Sequence, residues 1–174
     1  MNDDALRYPT GPFAPQGSYT LEDVQSNIIR IEKIPEKIES LVQQFDSNKW
    51  DTAYREGGWT ARQVVHHMAD SHMNAYIRLK WTLTEPTPLI KAYDEKRWAE
   101  TPETKLDPLI SIVFLKALHL KWAALLKLIS PDELKKEFVH PDTKKNVPID
   151  RLVALYAWHG EHHLGHLRIV ANKG

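Results

Sequence analysis

The segment Trp158-His-Gly-Glu-His-His-Leu-Gly-His166 gathers four of the chain's nine histidines near its C-terminus. His159 and His163 are four apart, a spacing that stacks two imidazoles on one face of an α-helix, close enough to share an ion. Cysteine is absent. Any metal bound here must therefore take nitrogen or oxygen ligands, and any reactive thiol must arrive with a substrate. At about 100° per residue, Ile149, Leu152, Val153, Tyr156, Leu164, Leu167 and Val170 fall in one apolar stripe that must face a core. His163 lies near the middle of that stripe and His159 inside one edge; His166 falls just past the edge, toward the rim, and His162 points largely away. Imidazole is a poor apolar filler, yet each ring offers a lone pair to a metal, so an inward pair reads as candidate ligands. The competing reading is two core histidines hydrogen-bonded to the backbone or to each other. The order H-G-E-H-H does not put Glu161 where the H-E-x-x-H metalloproteases have their glutamate, and periodicity turns it outward, so protease chemistry gains no support.

A catalytic metal usually has three protein ligands and an open position. Other candidates are His66, His67 and His72 in "VVHHMADSHMN" and His119 further on. The apolar stripe of the helix carrying the first three centres near His72, leaves His67 outside its edge and puts His66 further away still. Periodicity alone leaves the third ligand open.

The elements that must position these residues are helices. Pro9, Pro12 and Pro15 with Gly11 and Gly17 exclude a helix or inner strand there, so residues 1–19 are predicted as an extended arm. A first helix is predicted from Thr20 to Phe45, kinked at Pro35. Thr60 and Gln63 form a capping box that starts a second helix, which "EPTP" at Glu85 to Pro88 stops. Residues 85–107 form a long connection, and long connections in compact domains are often functional. A third helix is predicted from Asp107-Pro108 to Ile129, then a short turn at Ser130 to Glu133, and a fourth helix from Pro148 to Ala171. No alternating strand pattern or repeat is evident. The expected fold is all-α, a four-helix bundle, in a single domain spanning residues 1–174.

Composition narrows the partners. Twenty-three basic and 23 acidic residues cancel, and the longest basic run is Lys144-Lys145, which argues against nucleic acid and against anionic membrane surfaces. Apolar runs such as Leu120 to Ile129 are broken by lysines and fall short of the roughly 20 residues a bilayer span needs. The N-terminus opens with acidic residues and has no apolar core of a signal peptide, so cytoplasmic residence is the expectation.

The segments "YREGGWTARQVVHHMADSHMNAYIRLKWTLTEPTPLIKAYDEKRWAE", "FVHPDTKK" and "YAWHGEHHLGHL", with "YPTGPFAP" in the arm, closely resemble the YfiT branch of the DinB-like superfamily over essentially the whole chain. The resemblance implies a four-helix bundle, a homodimer, and one divalent ion per chain, zinc or nickel, held by three histidines. By motif position these are His67, eight residues after Trp59, with His159 and His163. It also implies a small-molecule substrate and one of two chemistries: hydrolysis by an activated water, or transfer of a low-molecular-weight thiol such as bacillithiol. A non-catalytic metal- or ligand-binding bundle is the third reading. A ferritin-like di-iron site is disfavoured, because the only Glu-x-x-His spacing is Glu137 to His140, in a loop.

Hydrolysis calls for a general base. Asp70, one turn from His67, is the candidate for that role or for orienting a ligand, against the plainer reading of a helix-surface carboxylate. Asn74 and Arg78 continue the His67 side and are candidate substrate contacts, as is Tyr93, which with Trp98 could cover the mouth of the site. The six tryptophans are expected in the core, at a dimer interface or as loop anchors. Metal affinity should fall as pH drops below the imidazole range, because the ligands must be deprotonated.

Overall fold

Residues 3–173 are described by a computed structural model; Met1 and Asn2 of the predicted arm, and Gly174, lie outside the described residues. The breakers in the arm begin only at Pro9, and the stretch before them forms a short helix, α1 (Asp3–Arg7), with acids in its first turn and Arg7 in its last. The arm is thus not extended throughout. Thr20 caps α2 (Leu21–Val42) through a complete capping box with Asp23. Pro35 is buried inside this helix. The helix ends before the predicted Phe45, and Asp46 caps a further short turn, α3 (Ser47–Trp50).

The Thr60–Gln63 capping box forms as the sequence displays it and starts α4 (Ala61–Thr84). The connection that follows is not structureless: it holds α5 (Glu95–Trp98) and a 3-10 turn at Pro102–Lys105. Pro108 occupies the cap of α6 (Leu109–Leu126) rather than its first helical residue, and this helix stops short of the predicted Ile129. Ser130 and Glu133 cap each other, and a 3-10 turn follows at Glu133–Lys135. The last long helix is α7 (Ile149–Ala171).

Two short strands were not legible in the sequence: β1 (Glu137–Val139) and β2 (Asn146–Pro148) pair antiparallel, with Phe138 opposite Val147. Three residues per strand are too few to display alternation. Phe138 is buried, so the hairpin caps one end of the helical core.

Helices α2 and α4 each pack against both α6 and α7. The order around the bundle is therefore α2, α6, α4, α7, with α2 diagonal to α4. Consecutive elements are usually spatial neighbours; here the long connections at 43–60 and 127–148 allow the chain to cross between diagonal positions. Two apolar clusters fill the interior. One surrounds the fully buried Trp122, the other Ile34, Met68 and Leu164. The α2–α7 crossing is tight at Gly160, where a Cβ would stand 2.7 Å from Ile34 Cγ1. Helix α6 is long and apolar enough to cross a membrane by length and composition alone, but one face, with Ile112, Leu115, His119 and Trp122, is buried in the bundle.

Candidate metal centre

Helices α4 and α7 lie side by side, and their facing residues bring three imidazoles together. Nitrogens of His67, His159 and His163 lie within 4.8 Å of one another. His67 Nε2 and His159 Nε2 are 3.4 Å apart. That is long for a hydrogen bond, and it matches the edge of a tetrahedron around an ion with metal–nitrogen distances of about 2.0–2.1 Å, roughly 3.4 Å. The donor set therefore fits a divalent ion such as zinc.

Burial sets the charge state of these rings. It pushes His67 down to about 4, with the neighbouring His162 and His166 adding to the effect. Burial likewise holds His159 and His163 well below the ordinary imidazole range. All three are neutral at pH 7, the form that donates a lone pair.

The surrounding histidines are bonded in chains. His159 Nδ1 meets His72 Nε2 at 3.0 Å, His72 Nδ1 meets His119 Nε2 at 2.8 Å, and His119 Nδ1 reaches the Ile31 carbonyl at 2.6 Å. On the other side, His163 Nδ1 meets His166 Nδ1 at 3.2 Å, and His166 Nε2 reaches the Arg7 carbonyl at 3.2 Å. His162, His163 and His166 also bring nitrogens within 4.8 Å, but two of these rings are committed to each other and to Arg7.

The three imidazoles line a cavity of about 650 Å³. Its other walls come from three separate stretches: Arg7 and Tyr8 of the arm, Tyr54, Arg55 and Trp59 before α4, and Glu95, Lys96 and Glu100 of the 85–107 connection, with Trp158 from α7. Trp59 packs against His67 with ring centroids 4.5 Å apart, and Trp158 stacks on His162 at 4.6 Å. Both tryptophans thus line the cavity, beyond the anchoring roles expected of them.

The fold and the cluster agree with a match to a family model. The described pattern "DinB superfamily" covers residues 30–167. The chain belongs to the DinB superfamily. Among curated relatives within it, "Putative metal-dependent hydrolase YfiT" of Bacillus subtilis (strain 168) is 45% identical over 99% of this chain and 98% of that protein. A protein of Bacillus cereus (strain AH820), also named a "Putative metal-dependent hydrolase", is 46% identical over 96% and 95%. The solved structure of Bacillus subtilis YfiT, described as "a probable metal-dependent hydrolase with an unusual four-helix bundle topology", superposes with a TM-score of 0.93 at 44% identity, covering 95% of each chain. The four-helix bundle protein TT2238 matches at a TM-score of 0.58 and 21% identity over 83% of this chain and 98% of its own, which bears on the fold alone.

This DinB-superfamily chain departs from its sequence periodicity at several histidines. His162 and His166, expected at the rim or in solvent, are buried at 7% and 2% exposure. The arm lies across them. Tyr8 packs beside His162, Tyr54 stacks on His166 at 3.9 Å, and Trp158 Nε1 donates to the Gly11 carbonyl. Gly165 permits this close approach, since a Cβ there would stand 2.7 Å from Pro9 Cγ. His66 and His67, placed outside the apolar stripe of α4, are buried too. The 85–107 connection covers that side, with Gln63 donating to the Ala99 carbonyl and Arg62 to the Leu106 carbonyl, and α6 adds Ser111, bonded to His66 at 2.8 Å.

Asp70, Asn74, Arg78 and Tyr93 are not among the residues that line the cavity. Burial and the nearby Glu103 raise Asp70 to about 6. Asn74 donates to the Asp70 carbonyl. Arg78 lies over the Tyr93 ring and reaches the Tyr156 hydroxyl at 3.5 Å, behind His159. Tyr93 packs on Trp98; the part of the connection that faces the cavity is instead Glu95, Lys96 and Glu100. Helix α5 is four residues long, too short to show a period, so sequence patterning had no signal for these residues.

Proposed function

We propose that this chain holds one divalent ion, zinc or nickel, through His67, His159 and His163 and hydrolyses a small-molecule substrate. The observation that carries the reading is the convergence of three neutral ring nitrogens on the wall of the 650 Å³ cavity. Three uncharged ligands leave an ion its full charge and an open position, the pattern of catalytic rather than structural sites. When bound, such an ion acts as a Lewis acid that lowers the pKa of a water or thiol reaching it. Trp59, Trp158, Tyr8 and Tyr54 enclose the apolar part of a substrate, and Arg7, Arg55 and Lys96 attract an anionic part. Asp70 stands off the cavity, so Glu95 and Glu100, the carboxylates that line it, are the candidates for the general base.

A second reading, transfer of a low-molecular-weight thiol such as bacillithiol, is favoured by that same displacement of Asp70. A thiol held as thiolate needs no base. Zinc- and nickel-loaded protein assayed with chromogenic esters and amides, and separately with a thiol plus an electrophile, separates the two. Hydrolysis is expected, falling about 10²–10⁴-fold in Glu100→Gln or Glu95→Gln, whichever carries the base. Thiol consumption with hydrolysis at background would establish the transferase instead. Neither activity on metal-loaded protein would leave a metal-binding bundle.

The homodimer is proposed on α6. Its outward face exposes Leu109, Ile110, Val113, Phe114 and Leu120, a continuous apolar surface that a second copy would cover. Light scattering is expected to give twice the chain mass for the wild type and the chain mass for Val113→Glu; a monomeric wild type overturns the assignment.

A further inference from the structure

We infer that His72, His119 and His166, with the carbonyls of Ile31 and Arg7, are positioning groups that lock His159 and His163 in the tautomer presenting a bare Nε2 to the ion. The inference rests on the three-histidine reading above and assigns roles to residues outside that trio.

The direction of each chain follows from its anchor. A backbone carbonyl accepts and never donates. His119 Nδ1, 2.6 Å from the Ile31 carbonyl, therefore carries that ring's proton, and in a neutral ring its Nε2 is bare. His72 Nδ1, facing that bare nitrogen at 2.8 Å, must donate to it, which leaves His72 Nε2 bare. His159 Nδ1, 3.0 Å from His72 Nε2, must then donate in turn. The remaining nitrogen, His159 Nε2, is the one that stands 3.4 Å from His67 Nε2.

The second chain obeys the same rule. His166 Nε2 donates to the Arg7 carbonyl at 3.2 Å, its Nδ1 is bare and accepts from His163 Nδ1 at 3.2 Å, and His163 Nε2 is left free. Reversing either chain would set two lone pairs or two protons face to face at one of these contacts. Metal-bound histidines characteristically donate their other N–H to a carboxylate, carbonyl or water, which fixes ring orientation and raises ligand basicity. Here the acceptors are further imidazoles, each oriented by a backbone carbonyl. One chain ties α7 through α4 and α6 to α2; the other ties α7 to the end of α1, so the N-terminal arm becomes part of the site.

Two measurements test this. Long-range 15N–1H NMR on metal-free wild type labelled at histidine reads each tautomer directly. Protons are expected on Nδ1 of His72, His119, His159 and His163 and on Nε2 of His166. Zinc affinity by chelator competition is then compared for His72→Phe, which removes the acceptor but keeps a ring, and His72→Gln, whose amide can both accept and donate. His72→Phe is expected to bind zinc about 10–100-fold more weakly, with His159 shifting toward the Nε2-protonated form, and His72→Gln to recover most of the loss. A proton on Nε2 of His159 or His163 in the metal-free wild type overturns the inference, and so does wild-type zinc affinity in His72→Phe. Should that variant not fold, the wild-type tautomers decide. A wild type that takes up neither zinc nor nickel overturns the three-histidine reading itself, an outcome distinct from either of these.

Discussion

Metal content is expected to fall from about one ion per chain to background in His163→Ala, and the thermal stabilisation expected from zinc to disappear with it. A ligand at a thousand times its Kd stabilises the native state by about 4 kcal/mol. For a chain of this length that corresponds to roughly 8–16 °C in Tm. The variant loses one of three converging nitrogens. His140, the one histidine in the hairpin loop, serves as the control: His140→Ala should keep both the ion and the Tm shift. Elemental analysis by mass spectrometry and thermal scans with and without zinc give the answer. Retention of the ion by His163→Ala would remove the proposed site.

Acid unfolding is expected to begin unusually early for a protein with no net charge. His67, His119, His162 and His166 are each pushed down to about 4, in every case chiefly by burial. In the unfolded chain they return to about 6.5. Between these values the unfolded state binds more protons than the native state, so stability is fully present above about 6.5 and is lost as pH falls toward 4. At pH 5 each ring costs on the order of 2 kcal/mol, and four together approach the 5–15 kcal/mol that typically holds a domain. Asp70 works in the opposite sense, because its raised value makes the native state bind a proton as pH falls through 6. Burial lowers His66, His72, His159 and His163 as well, so the histidines outweigh it.

Circular dichroism and tryptophan fluorescence followed from pH 8 to 4 should therefore show a cooperative loss of structure centred near pH 5. Saturating zinc should move that transition to lower pH, because the ion binds only the neutral rings, and a chelator should move it back. A metal-free protein still cooperatively folded at pH 4 would contradict a core of neutral histidines.

The architecture was readable because its signals are local. Thr60 and Gln63 are three residues apart, and a capping box needs only that short span to form. The apolar stripe of α7 likewise names its own inward face, and Ile149, Leu152, Val153, Tyr156, Leu164, Leu167 and Val170 are all buried. The same periodicity selected His159 and His163. His67 was named by family resemblance, since its own helix placed it off the apolar stripe.

What the periodicity misplaced are residues buried by something other than the bundle. A helical wheel counts one inward face, and the arm gives α7 a second buried side at His162 and His166, as the 85–107 connection does for α4 at His66 and His67. Local spacing by itself determined four long helices, the caps at Thr20 and Thr60, and an inward histidine pair. Only the tertiary structure decided which loops close the cavity, which carboxylates reach it, and how His72, His119 and His166 bond. Those contacts join residues far apart in sequence, such as His119 to Ile31 and His166 to Arg7, and no short-range pattern records a hydrogen bond between them.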